Sequence, residues 1–249
     1  MGNYVLEVCV DSVESAIAAK RGGATRLELC SNLVIGGTTP SVEFFSMVKE
    51  VTGLPIHVLI RPRFGDFLYT DFEYERMCRE IQSLVAAGAD AVVIGSLNAD
   101  GTLNEVQMEG LIRAACEKKV TLHRAFDMCR DLQEALETAR KLGVHTILTS
   151  GGEKNCYEGR AMIKELLVAA GEMEILVGAG VDAVVIEHIC RELPARSFHM
   201  SGKEILQSGM IYRNRKVSMG IPGMSEFEIW RTGEETVAKA AEVLKRLWE

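Results

Sequence analysis

The chain lacks any apolar run approaching the ~18 residues a membrane span needs, and its first apolar stretch is interrupted by Glu7. It carries no secretory signal pattern. A soluble, cytoplasmic protein is expected. There is no long run of lysine or arginine either, and the formal net charge is -7. Without a basic patch there is no electrostatic footprint for nucleic acid or for an anionic membrane surface, so a small molecule or an ion is the expected partner. Seven cysteines are present, an odd number with no Cys-x-x-Cys among them, which excludes an obvious disulfide framework and points to reduced thiols. No Gly-x-Gly-x-x-Gly follows the first strand-like run, so the usual support for a dinucleotide-binding open sheet is missing.

What is present is alternation. Short apolar runs read as strands at Tyr4 to Val8, Arg26 to Leu29, Ile56 to Ile60, Ala91 to Gly95, Val120 to His123, Thr146 to Leu148, Glu174 to Val177 and Arg196 to His199. Amphipathic runs at helical spacing separate them, from about Ser12 to Arg21 through Glu234 to Leu247. Eight strand-then-helix units require a parallel sheet, and at this length the closed solution is a (β/α)8 TIM barrel, an α/β fold spanning 1–249 as one domain. A doubly wound open sheet is the alternative. The pattern is interrupted only between the last strand and last helix, at 202–233, where Asn214 divides two alternating runs and suggests a hairpin within Met210 to Met219. A connection that long is read as a lid or an oligomer contact.

Strand parity then sorts the polar residues. In a barrel one parity of each strand faces the helices and the other faces the interior, and functional groups come from the strand C-terminal ends. Leu6 and Val8 oppose Glu7 and Cys9; Leu27 and Leu29 oppose Glu28 and Cys30; Val58 and Ile60 oppose His57 and Arg61; Phe198 and Met200 oppose His199 and Ser201. His123 ends the fifth strand, and Asp127 shares its parity if the extended run continues. His57, near a strand start, is assigned to the lower layer. A purely structural reading pairs Glu7 and Glu28 with Arg61 and Arg124 as plugs of the barrel. Cysteine is also a frequent small core residue. Two glycine-rich loops complete the upper face, Thr149-Ser150-Gly151-Gly152 and Val177-Gly178-Ala179-Gly180. Either they cradle an anion with freed backbone amides, or the glycines only permit tight strand exits.

These motifs together resemble the CutC copper-homeostasis family. The resemblance is carried by Leu6-Glu7-Val8-Cys9-Val10, Arg26-Leu27-Glu28-Leu29-Cys30-Ser31, Gly36-Gly37-Thr38-Thr39-Pro40-Ser41, Ile60-Arg61-Pro62-Arg63-Phe64-Gly65-Asp66-Phe67, Asp100-Gly101, His123 to Asp127, Thr149 to Gly152 and His199-Met200-Ser201. It covers about four-fifths of the chain. It implies a single cytoplasmic barrel that assembles as a homodimer or homotetramer and handles copper. It further implies Cys9 and Cys30 as copper thiols, with Cu(I) and no other cofactor.

Two functions follow. Cu(I) is soft and prefers thiolates, and neighbouring strands lie ~4.8 Å apart, so cysteines at facing positions would suit a near-linear S–Cu–S arrangement. Alternatively the barrel is an enzyme of lyase or isomerase type acting on a small anionic or phosphorylated substrate. His123 would then be general acid or base, with Asp127 orienting it and Glu7 or Glu28 as partner base. Arg61, Arg124, Ser150, Gly151, Gly152, Gly178, Gly180, His199 and Ser201 would hold the anion. No lysine stands on the inward parity at a strand end, which argues against a Schiff base.

Overall fold

The outward parity of the strands is apolar except at Thr149, and burying it builds one continuous layer between strands and helices. Leu6, Val8, Leu27, Leu29, Val58, Ile60, Val92 and Ile94 all belong to it and are fully buried. Cys30, Leu59 and Val93, of the opposite parity, form a separate small cluster against Leu33 inside the sheet. The structure is a computed structural model that describes residues 4–214, 216–217, 219–221 and 223–249.

Eight parallel strands close in chain order: β1 (Val5–Val10), β2 (Arg26–Leu29), β3 (Ile56–Leu59), β4 (Ala91–Ile94), β5 (Lys119–Leu122), β6 (Thr146–Thr149), β7 (Glu174–Val177) and β8 (Ser197–Met200). Closure is by β8 on β1, with Glu7 opposite His199. The expected barrel is therefore the observed one. A helix follows each strand: α1 (Val13–Arg21), α2 (Val42–Thr52), α3 (Asp71–Ala86), α4 (Glu105–Ala114), α5 (Leu132–Lys141), α6 (Arg160–Ala169), α7 (Ala183–Glu192) and α8 (Glu234–Trp248). Most start where a side chain can satisfy a free amide. Ser12, Ser41, Thr70, Asn104, Asp131 and Asp182 each accept such an N–H, and Thr70 with Glu73 completes a reciprocal capping box. Each cap stabilises its helix by about 1 kcal/mol.

The connection from β8 to α8 departs from expectation. Its strands are β9 (Lys203–Gln207) and β10 (Glu228–Thr232), paired antiparallel with Lys203 opposite Thr232, not a hairpin turning at Asn214. Asn214 Oδ1 instead accepts the Lys216 amide at 3.0 Å. The outer runs are anchored: Thr232 N donates to Ser15 Oγ at 3.1 Å, and Lys203 Nζ lies 4.1 Å from the Trp230 ring centroid. Arg215 and Ser218 of the expected run lie outside the described residues. Among the described residues no helix is long and apolar enough to cross a membrane.

Candidate functional site

Glu7, fully buried in the barrel interior, is the point from which the site is built. Its Oε2 accepts from Arg26 Nε at 2.5 Å and lies 3.4 Å from His57 Nδ1, while its Oε1 meets His199 Nδ1 at 2.8 Å. Arg26 reaches on through Nη1 to Glu174 Oε2 at 3.1 Å, and Thr146 Oγ1 donates to that same oxygen at 2.9 Å. Burial opposes ionisation of Glu7, but the Arg26 guanidinium and the His199 contact outweigh it and hold the carboxyl well below the usual range. Burial likewise opposes charge on His199, yet Cys9, Glu28 and Glu7 keep the imidazole well above its ordinary value. The expected pairing of Glu7 with Arg61 or Arg124 is thus corrected. Arg26 stands opposite Glu7 in the β1–β2 ladder and is the shorter reach.

Above this floor opens a cavity of about 280 Å³ at the strand C-terminal ends, lined by Cys9, Glu28, Arg61, Phe67, His123, Arg124 and His199 among others. Glu28 stands opposite Cys9 on β1 and His57 on β3. Among the described residues its Oε2 has no hydrogen-bond partner. Burial, with a smaller contribution from Glu7, pushes its carboxyl up to about 7 against the pull of His199 and Arg26. His123 carries the β5 ladder one residue further, donating its amide to Ile94 O at 2.9 Å. The Ala125 amide donates to its Nδ1 at 3.1 Å, which places the ring proton on Nε2, and Nε2 is buried without a partner among the described residues. Burial and the Arg61 charge lower this imidazole to about 3, so it is neutral and a hydrogen-bond donor to the cavity. Only glycine fits at position 95 beside it, because a Cβ there would sit 2.5 Å from His123 Cε1.

Arg61 is aimed by carbonyls: Nη1 donates to Gly36 O at 3.1 Å and Gly37 O at 3.3 Å, and Nη2 to Gly65 O at 2.7 Å. Nε has no partner among the described residues. The guanidinium stacks 5.1 Å from the Phe67 centroid, and Phe67 lies 4.8 Å from the His123 ring.

Several expected site residues have other work. After His123 the chain turns into a short 3-10 helix, Phe126–Met128, so the extended parity ends and Asp127 does not orient His123. Its carboxylate accepts from Arg124 Nε at 2.7 Å, from the Ser150 amide at 3.0 Å and from the Gly152 amide at 3.1 Å, and also from the Thr149 and Ser150 hydroxyls. The Ser150 and Gly152 amides of that loop are therefore taken up by Asp127, the Gly151 amide by Thr149 Oγ1 at 2.8 Å, and Arg124 is held by the same carboxylate. Gly178 donates to Thr149 O at 2.9 Å and packs so closely that a Cβ would meet Leu148 Cδ1 at 2.5 Å; it serves a tight strand exit. Gly178, Gly180 and Ser201 do not line the cavity, and the Ser201 carbonyl accepts from Thr232 Oγ1 at 3.1 Å.

Cys9 lines the cavity; Cys30 does not. The β1–β2 register sets Cys9 opposite Glu28, so the two thiols are offset neighbours, not facing ones. Cys30 Sγ lies 3.7 Å from Val10 O, and burial raises its thiol well above the ordinary value, with the nearby Cys9 contributing. Among the described residues, Glu7, Glu28 and His199 each offer a ligand atom within 4.8 Å of the other two.

A family model described as the CutC family matches residues 4–204. The chain belongs to the CutC family. Relatives include a family protein CutC of Bacteroides fragilis, 46% identical over 231 residues covering 92% of each chain. The copper homeostasis protein cutC homolog of Homo sapiens is 44% identical over 218 residues, 87% of this chain and 80% of the human one. A solved CutC structure from Streptococcus agalactiae superposes with a TM-score of 0.76 at 30% identity, covering 80% of this chain and 98% of that one. Thiamine phosphate pyrophosphorylase from Pyrococcus furiosus, at 13% identity and a TM-score of 0.60, shares the fold alone.

Sequence reasoning passed over Arg26 and Phe67. Arg26 was within reach, since it shares the inward parity of Glu28 two residues earlier; Phe67 lies in a loop with no periodicity to reveal it.

Glu28 generates a pH test. Its carboxyl ionises near 4.5 when solvated but near 7 when folded. Between those values the folded state keeps a proton that the unfolded chain has released. Stability therefore falls across that window by up to about 3 kcal/mol and is level above it. Glu28→Gln imitates the protonated form. In urea unfolding it should be near neutral at pH 4 and stabilising at pH 8; an equal effect at both would contradict the shift.

Proposed function

We propose that this chain handles copper in the cytoplasm, taking Cu(I) as cargo at the barrel mouth through Cys9 and Cys30. The observation that carries the reading is the pair of free, buried thiols at the ends of neighbouring strands, Cys30 lying two residues beyond Glu28, the ladder partner of Cys9. A soft monovalent ion prefers such sulfur donors, and relatives bear the name copper homeostasis protein. The whole of 1–249 is read as one domain that forms a homodimer or homotetramer. The segment 202–233 suits an oligomer contact better than a lid. It exposes Ile205, Met210, Ile211 and Tyr212, and none of its described residues lines the cavity. Titration against a chromogenic Cu(I) chelator should give one Cu(I) per chain, lost in Cys9→Ser/Cys30→Ser. Unchanged binding in that double variant would overturn the site.

A second reading is favoured by the buried, unpartnered His123 Nε2–H beside Arg61. It is acid–base chemistry of lyase or isomerase type on a small anionic or phosphorylated compound. His123 would polarise a carbonyl as a neutral donor, Glu28 would exchange the proton near neutral pH, and Arg61 would steer the anion. In a panel of keto acids and sugar phosphates, at least one compound should raise the melting temperature of the wild type and fail to do so in His123→Phe. No response from the whole panel would count against it.

A further inference from the structure

A phosphate at a barrel mouth is commonly held by free backbone amides in the loops after the late strands, beside a helix N-terminus. Here those amides are occupied. Ser150 N and Gly152 N donate to Asp127, Gly151 N to Thr149 Oγ1 at 2.8 Å, and Gly178 N to Thr149 O at 2.9 Å. Loop amides on the cavity wall are engaged as well: Leu33 N donates to Asp11 Oδ2 at 3.0 Å, Gly36 N to Leu33 O at 2.9 Å, and Arg61 N to Thr39 Oγ1 at 3.0 Å. Two buried side chains on the same wall, by contrast, carry donors with no partner among the described residues. His123, 5% exposed, offers one. Its Nδ1 accepts the Ala125 amide, so Nε2 bears the proton and can only donate, from a ring without charge. Arg61, 8% exposed, brings a fixed positive charge: the Gly36, Gly37 and Gly65 carbonyls hold Nη1 and Nη2, and Nε–H is left. Both side chains pack on the Phe67 ring, which ties their positions together.

We propose, resting on the acid–base reading of this mouth, that its ligand is a short unphosphorylated 2-oxo carboxylate, with the carboxylate facing Arg61 and the keto oxygen accepting from His123 Nε2. Such a compound carries a charged acceptor and an uncharged one on adjacent carbons. That pair matches a fixed cation beside a neutral donor. A phosphate dianion asks for several donors around three oxygens, and the amides that would supply them are already engaged. The cavity, about 280 Å³, lies just below the ~300–1,000 Å³ of ordinary ligand clefts, which suits a chain of a few carbons. Leu59 and Leu148 give that chain an apolar wall.

The test is calorimetric titration of the purified full chain, in phosphate-free buffer, with 2-oxobutyrate, butyrate and dihydroxyacetone phosphate. 2-Oxobutyrate should bind at least about 10-fold more tightly than butyrate, because butyrate leaves the buried His123 donor unmet. It should also bind more tightly than dihydroxyacetone phosphate, which offers a keto oxygen but a phosphate in place of the carboxylate. In His123→Phe the two acids should bind alike. Equal affinity of the two acids for the wild type, or a preference that survives in His123→Phe, would overturn the proposal. Binding of dihydroxyacetone phosphate as tightly as 2-oxobutyrate, or in its stead, would overturn it too while leaving the broader acid–base reading standing. Binding of none of the three would remove both. Melting curves establish that His123→Phe is folded, and if it is not, the wild-type comparison of the three compounds decides alone.

Discussion

A carboxylate with no contact with solvent stays ionised only where positive charge surrounds it, and Glu7 is such a group in the middle of the barrel. Arg26 supplies the nearest charge and His199 the next. Removing one partner from a buried pair of this kind typically costs about 3–5 kcal/mol, because the other charge is left uncompensated. An apolar layer would have stabilised a plain barrel at least as well. The ionic chain from Glu174 through Arg26 and Glu7 to His199 therefore makes sense as the support of the mouth above it.

The chemistry of the mouth follows from that support. With Glu7 ionised and His199 charged beside it, Glu28 is the group left without a dedicated cation, and its carboxyl holds a proton to about 7. Burial and the neighbouring Arg61 charge keep His123 neutral. One cavity thus brings together a neutral imidazole donor, a carboxyl able to exchange its proton near neutral pH, a fixed guanidinium and a thiol. These are the resources of a small-molecule or metal site, and the same wall carries the copper question at Cys9.

The barrel was legible in the sequence because its two periods are local: apolar residues at alternate positions in each short strand, and helical spacing between them. Parity alone placed Glu7, Cys9, Glu28, Arg61, His123 and His199 in the interior. What it could not supply was register. The stagger between neighbouring strands decides that Glu7 faces Arg26 and that Cys9 faces Glu28 and not Cys30, and no local pattern encodes it. Asp127 was misread for a different reason. The parity argument assumed an extended chain, and the 3-10 turn at Phe126 carried its carboxylate into the glycine loop instead. The strands β9 and β10 were missed because their pairing depends on anchors on α1 and Gly202, far away in sequence or at the opposite end of the connection.

The dependence of the interior on Glu7 is tested most directly by a double-mutant cycle of Glu7→Gln and Arg26→Met, followed by urea unfolding at pH 7. Each single change should cost about 3–5 kcal/mol, and the pair together should fall short of their sum by at least about 2 kcal/mol. Additivity within about 0.5 kcal/mol would mean that the two charges do not depend on each other, and would contradict the account.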